Sequence, residues 1–314
     1  MMVIKTLTKG GIRMKKRNPI LTLIPFFLAL SLIGCQTTEN SSEEQSFIFE
    51  EGIVFGTVDG VDLKLDLARP GKGEGPYPAL VFIHGGGWFT GSRQTIYIKR
   101  AAERDYVAVS VDYRLTSVKD DTKTKYPFPA QVHDVKCAVR WLRANAEKYM
   151  IDPAHIGAYG YSAGGHIALL LGLTDSSDGI EGDCGNLNFS SRVQAVFNVS
   201  GPTDLASYFE TRNVDKHKIM HLVGGSLEEM PDKYRQASPI AYVSKDDPPV
   251  FTVHGDQDTT VPPQQAELLD NKMKEIGASH TLIMREGVDH GVNINMLADY
   301  PVWDFFDKHL KNRD

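Results

Sequence analysis

Between Pro78 and Leu310 the chain alternates short, continuously apolar runs with stretches of helical period. Pro78 to His84 (PALVFIH), Tyr106 to Val111 (YVAVSV), Ile156 to Tyr161, Val193 to Val199, Pro249 to His254 and Thr281 to Arg285 are the apolar runs. Their apolar residues are consecutive rather than alternate, so both faces of each strand need cover. Helical stretches are read near Thr95 to Arg104 and at Pro129 to Met150, Ala163 to Leu173, Pro262 to Ile276 and Asn295 to Leu310. In the second of these, Val132, Val135, Val139 and Leu142 share one face. Such alternation predicts the α/β class: one domain with a mostly parallel, doubly wound sheet and helices on both faces. Ahead of it, Ile53 to Val58 and Val61 to Leu67, joined by Asp59-Gly60, read as an N-terminal β-hairpin. Leu205 to Asp247 is polar, irregular and Pro-containing, long enough for a small cap insertion over the sheet's carboxyl edge.

The N-terminus has a different character. Residues 1–34 read as a signal peptide, with Met14 as a candidate true start: a basic Lys15-Lys16-Arg17, then an apolar run from Ile20 to Ile33. That run is short for a transmembrane helix and is broken by Pro25. Leu32-Ile33-Gly34-Cys35 is similar to the lipobox of bacterial lipoproteins. Cys35 is therefore the expected lipid-attachment residue, and the expected localisation is that of an exported lipoprotein anchored to the outer membrane or cell surface. Residues 35–50, polar and acidic, are expected to form a lipidated flexible tether, and residues 51–314 the α/β domain. Removing residues 1–34 takes away six basic residues and no acidic one, moving the formal charge from −6 to −12, which disfavours a nucleic-acid partner. Cys137 and Cys184 alone remain in the body, too few for a disulfide scaffold. Cys137 reads as a buried helix residue, and whether the two pair is open, as is the oligomeric state.

Four motifs fall at predicted strand ends, where α/β sheets collect their reacting groups. His84-Gly85-Gly86-Gly87-Trp88 supplies three glycines in a row, which let backbone N–H groups approach a ligand closely. Such groups can hold the negative oxygen of an acyl-transfer intermediate. Gly160-Tyr161-Ser162-Ala163-Gly164 fits G-x-S-x-G, the strained turn that exposes a serine nucleophile, with the Ala163 N–H completing an oxyanion hole. In VFTVHGDQDTTVP, Asp256 and Asp258 both stand just past a strand, and either can orient a histidine. His290, in REGVDHGV, completes the chain order Ser, Asp, His. The joint occurrence of the four is much stronger than any part.

HGGGW, VDYRL, ANAEKYMIDPAHIGAYGYSAGGHIA, HGDQDTTVP and DHG together resemble the α/β-hydrolase superfamily over Ile53 to Leu310. Within it the chain is similar to the BD-FAE-like, or acetyl esterase/lipase, group near the hormone-sensitive-lipase relatives. Those relatives commonly place an acidic residue before the nucleophile, where this chain has Tyr161, which favours the BD-FAE-like branch. The resemblance implies an α/β-hydrolase fold and a serine esterase without metal or cofactor. Its catalytic residues would be Ser162, His290 as base and Asp258, rather than Asp256, as acid. Its oxyanion donors would be Gly86, Gly87 and Ala163, with His84 and His166 as hydrogen-bonded scaffold. The expected substrates are short acyl esters, acetyl or feruloyl in type, on small molecules or oligosaccharides. A serine peptidase of the prolyl-oligopeptidase type and an arylformamidase are the alternative enzymes. The peptidase is expected to carry an accessory domain that the stretch before Ile53 does not supply. A non-catalytic surface binding protein on the same scaffold is the alternative from another class, although every triad member is present.

Overall fold

The computed structural model describes residues 46–119, 123–211, 216–290 and 301–311, within one unit running from Gln45 to Asp314. The predicted signal peptide, Cys35 and residues 36–45 of the predicted tether lie outside the described residues.

The hairpin forms β1 (Phe47–Val58) and β2 (Val61–Pro70), turning on Asp59 at φ 52° and Gly60 at φ 73°, as an Asp-Gly hairpin turn requires. β1 begins earlier than the sequence suggests. Phe47 to Glu50, read as the end of the tether, pair with Leu67 to Pro70. The sequence signal is faint because this is an edge strand, exposed on one side and running into polar residues.

The apolar runs become β3 (Tyr77–Ile83), β4 (Val107–Val111), β7 (Ile151–Tyr161), β8 (Ala195–Val199), β9 (Val250–Gly255) and β10 (His280–Arg285), with a minor antiparallel pair, β5 (Ser117–Lys119) and β6 (Lys123–Lys125), outside the main sheet. The eight-stranded sheet has the order β1-β2-β4-β3-β7-β8-β9-β10. The pairs from β4 through β10 are parallel, and β1–β2 and β2–β4 are antiparallel.

One face is covered by α2 (Ala130–Ala144), α4 (Ala163–Leu173) and α8 (Gln264–Ile276), the other by α1 (Thr95–Ala102) and α9 (Val302–Phe306). The predicted helix from Pro129 to Met150 is two helices, because Asn145 leaves the helical region at φ −109° before a single turn, α3 (Ala146–Tyr149). The predicted helix from Asn295 is described only from Val302, residues 295–300 lying outside the described residues.

The region read as irregular is helical. α5 (Leu205–Thr211), α6 (Lys216–Val223) and α7 (Pro231–Gln236) each turn two or three times at most, too briefly to print a period on the sequence. Each nonetheless buries its own anchors, such as Leu205 and Tyr208, Ile219 and Leu222, and Tyr234. Cys137 and Cys184 are joined in a disulfide that ties α2 to the loop before β8.

Candidate active site

Ser162 stands between β7 and α4 at φ 55°, ψ −122°, a backbone conformation that costs an L-residue free energy and here is held by the packing around it. Its N–H donates to Val199 O at 2.8 Å. The two glycines of the motif are there for space. A Cβ on Gly160 would lie 2.0 Å from Gly164 O, and one on Gly164 would lie 2.1 Å from Ile83 O, the last residue of β3. Only glycine lets the elbow close on itself and press against the strand that carries HGGGW.

That loop is folded by its own hydrogen bonds. Phe89 and Thr90 N–H both donate to Gly86 O, at 3.2 and 3.1 Å, and Gly86 adopts φ 121°. Trp88 is buried and its Nε1–H donates to His166 Nδ1 at 3.2 Å, while His166 Nε2–H donates to Ala237 O at 2.7 Å. The glycine loop, the elbow helix and the cap are thereby joined through one imidazole. Burial holds that imidazole down at about 4, the bond to Ala237 only partly opposing it. His84 Nδ1 donates to Gly85 O at 2.7 Å, and its ring stacks on Tyr113 with centroids 4.2 Å apart.

The two candidate carboxylates follow β9. Of the two carboxylates the sequence leaves open, Asp258 is the buried one and accepts from His290 Nδ1–H at 2.8 Å. Its other oxygen accepts Thr260 and Val261 N–H at 2.9 and 2.8 Å. Burial alone would raise this carboxyl. Hydrogen bonds from His254 and His290, the charge on His290 and the Val261 N–H outweigh burial and hold it well below the usual carboxylate range. Asp256 instead accepts Gly287 N–H at 2.7 Å.

On the far side, His290 Nε2 lies 3.0 Å from Ser162 Oγ. Residues brought from β7, β9 and β10 therefore form one hydrogen-bonded line, Ser162 to His290 to Asp258. The line opens on a cavity of about 420 Å³ whose wall includes Gly86, Gly87, Trp88 and Ala163. The cap adds Tyr208, Lys218 and Ile219, three residues with no sequence signal beyond their place in the insertion. Two more contacts on His290 also escape sequence reasoning, one from Tyr161 across loops and one from the neighbouring Asp289, whose side chain turns back onto the His290 N–H. Among the described residues, no group of three or more His, Cys, Asp or Glu is arranged to hold a metal ion.

A mostly parallel eight-stranded sheet, with a serine on a strained strand-to-helix turn and its partners past later strands, defines an α/β-hydrolase. More narrowly, the BD-FAE family model matches residues 65–273, and the chain belongs to that family. It is 30% identical to esterase LipC of Mycobacterium tuberculosis over 70% of this chain and 54% of LipC. The chain spans about half the length of the curated relatives it matches. Among solved structures it is similar to a truncated carbohydrate esterase from gut microbiota, with TM-score 0.73 and 29% identity over 86% of this chain and 99% of that one. It is also similar to the propionate-bound esterase Est2 of Thermogutta terrifontis, with TM-score 0.68 and 26% identity over 87% of this chain and 98% of that one.

Proposed function

We propose that the chain is a serine-type carboxylic ester hydrolase acting on short acyl esters, including those carried by carbohydrate. The observation that carries this reading is the continuous line from Ser162 through His290 to the buried Asp258 at the wall of an open cavity. In it, His290 takes the Ser162 proton as Oγ attacks the ester carbonyl, and Asp258 holds the Nδ1–H tautomer and balances the imidazolium charge. The N–H groups of Gly86, Gly87 and Ala163 receive the oxyanion. The alcohol leaves with the proton from His290. Water, deprotonated by the same imidazole, then releases the acid from the acyl-serine.

The esterase names of the relatives support the reaction, and the gut carbohydrate esterase and the propionate-bound esterase support the substrate class. The cavity wall is polar in part, including Thr90, Thr260 and Lys218. From the leader and Leu32 to Cys35, we further infer export and lipid anchoring through Cys35. The test is turnover of p-nitrophenyl esters of increasing chain length and of acetylated oligosaccharides. Wild type should prefer acetyl and propionyl esters and Ser162→Ala should be inactive. Equal turnover by the two proteins would overturn the reading.

A further inference from the structure

His290 follows a loop rather than ending a helix or strand, so its imidazole is only as well placed as the backbone that carries it. Both of that residue's backbone polar groups are engaged by side chains. The Tyr161 hydroxyl donates to His290 O, and Asp289 Oδ1 accepts His290 N–H at 2.7 Å. We propose that Tyr161 and Asp289 are positioning residues that grip His290 from its two backbone sides and fix its ring between Ser162 and Asp258. This rests on the proposed reading of that line as the reacting groups.

The grip is tied to the other reacting groups. Tyr161 immediately precedes Ser162, so its hydroxyl links the nucleophile's own turn to the base. Its ring also lies against the imidazole, centroids 5.3 Å apart and planes 34° from parallel. Asp289 Oδ1 accepts Thr259 N–H at 2.8 Å and Thr259 Oγ–H at 3.0 Å, and Thr259 is the residue after Asp258. One carboxylate therefore references the base loop to the acid loop. The same loops are joined again by Gly287 N–H to Asp256 at 2.7 Å and Gln257 N–H to Val288 O at 3.0 Å.

The protonation states suit the roles. Burial, reinforced by the charge of Asp258, pushes the Tyr161 hydroxyl up to about 12, so it remains a donor throughout the working range. Hydrogen bonds from the Thr259 N–H, the His290 N–H and the Thr259 hydroxyl hold the Asp289 carboxyl below its ordinary value, so it remains an acceptor. The position before Ser162 thus holds a tyrosine that reaches His290. A carboxylate in its place could not donate to a carbonyl.

The test uses the full protein with p-nitrophenyl acetate turnover and the rate of Ser162 modification by an organophosphonate, both of which need the base. Tyr161→Phe, which keeps the ring, should lower kcat and the modification rate by the same factor, about 3- to 10-fold, with KM nearly unchanged. Asp289→Ala should lower both about 10-fold, and Asp289→Asn should recover most of the loss because its amide oxygen still accepts. In a His290→Ala background, neither substitution should lower the residual rate further. Wild-type kcat in both Tyr161→Phe and Asp289→Ala, or losses that persist in that background, would overturn the proposal. If Tyr161→Phe fails to fold, the exposed Asp289→Ala decides alone. A wild type that neither turns over ester nor reacts with the phosphonate overturns both this inference and the function beneath it. An active wild type matched by both variants overturns only the inference.

Discussion

His166 sits in the first turn of α4 with Trp88 donating to one ring nitrogen and Ala237 accepting from the other, an arrangement that only the neutral imidazole satisfies. Its folded value of about 4 lies below the ordinary 6.5, so the unfolded chain binds a proton between those values and the native protein does not. Stability therefore rises with pH across that window and is lost as pH falls through it, by about 3 kcal/mol for this group. Urea unfolding at a series of pH values should show this slope, and His166→Gln should be less stable at pH 7 with a slope about one proton shallower. An unchanged slope would assign the dependence to other buried histidines. The two aspartates separate on rate. Both Asp258 oxygens accept, so Asp258→Asn sets an amide NH2 against either the His290 Nδ1–H or the Thr260 and Val261 N–H groups, disturbs the His290 tautomer and should lower kcat on the order of 10⁴-fold. Asp256→Asn still offers an oxygen to Gly287 N–H and should lose only a few-fold. The reverse ranking in kcat would move the acid to Asp256.

At the scale of elements, the elbow depends on the contact between α4 and the end of β3. Gly164→Ala places a Cβ against Ile83 O and His84 O, backbone on which no rotamer change helps, and should destabilise by about 1–3 kcal/mol in thermal unfolding while disturbing the serine. A second tie joins the hairpin to α2. Arg114, in the loop after β4, binds the fully buried Asp134 of α2 through Nε and Nη2, and Asp59 of the hairpin turn through Nη1. Asp134→Ala removes the buried partner of that guanidinium and leaves it only the exposed Asp59, and should cost about 3 kcal/mol. A melt unchanged in either variant would contradict the corresponding tie. These elements also show what a sequence can announce. α4 is legible from Ala163 to Leu173 because all eleven residues are buried and Ile167 to Leu171 is an unbroken apolar run. β3, β4, β8 and β9 are legible for the same reason. The break at Asn145 and the helices α5 to α7 are not, since a lone asparagine and two-turn helices leave no periodic trace. The four strand-end motifs expose most of the site, yet the residues alone leave Asp256 and Asp258 equivalent. Only the three-dimensional path of the β9 loop buries one and turns the other toward Gly287. The contact of Tyr161 on His290 and that of Asp289 on Thr259 are tertiary in the same sense, joining residues 129 and 30 apart in sequence by hydrogen bonds that no pattern encodes.

For the whole molecule, the acidic body, at −12 once residues 1–34 are removed, is read as a surface enzyme held by its N-terminus. Cys35→Ser should move the protein from the membrane fraction to the soluble one, and a variant that stays membrane-bound without accumulating unprocessed chain would contradict the anchor. The account as a whole turns on Ser162 becoming covalently acylated with help from His290. Intact-protein mass spectrometry after brief exposure to an organophosphonate tests that directly. Wild type should gain one adduct, mapped to Ser162 by peptide digestion, while Ser162→Ala gains none and His290→Ala gains it orders of magnitude more slowly. A folded Ser162→Ala variant that is still labelled, or that still hydrolyses ester at the wild-type rate, would contradict the account.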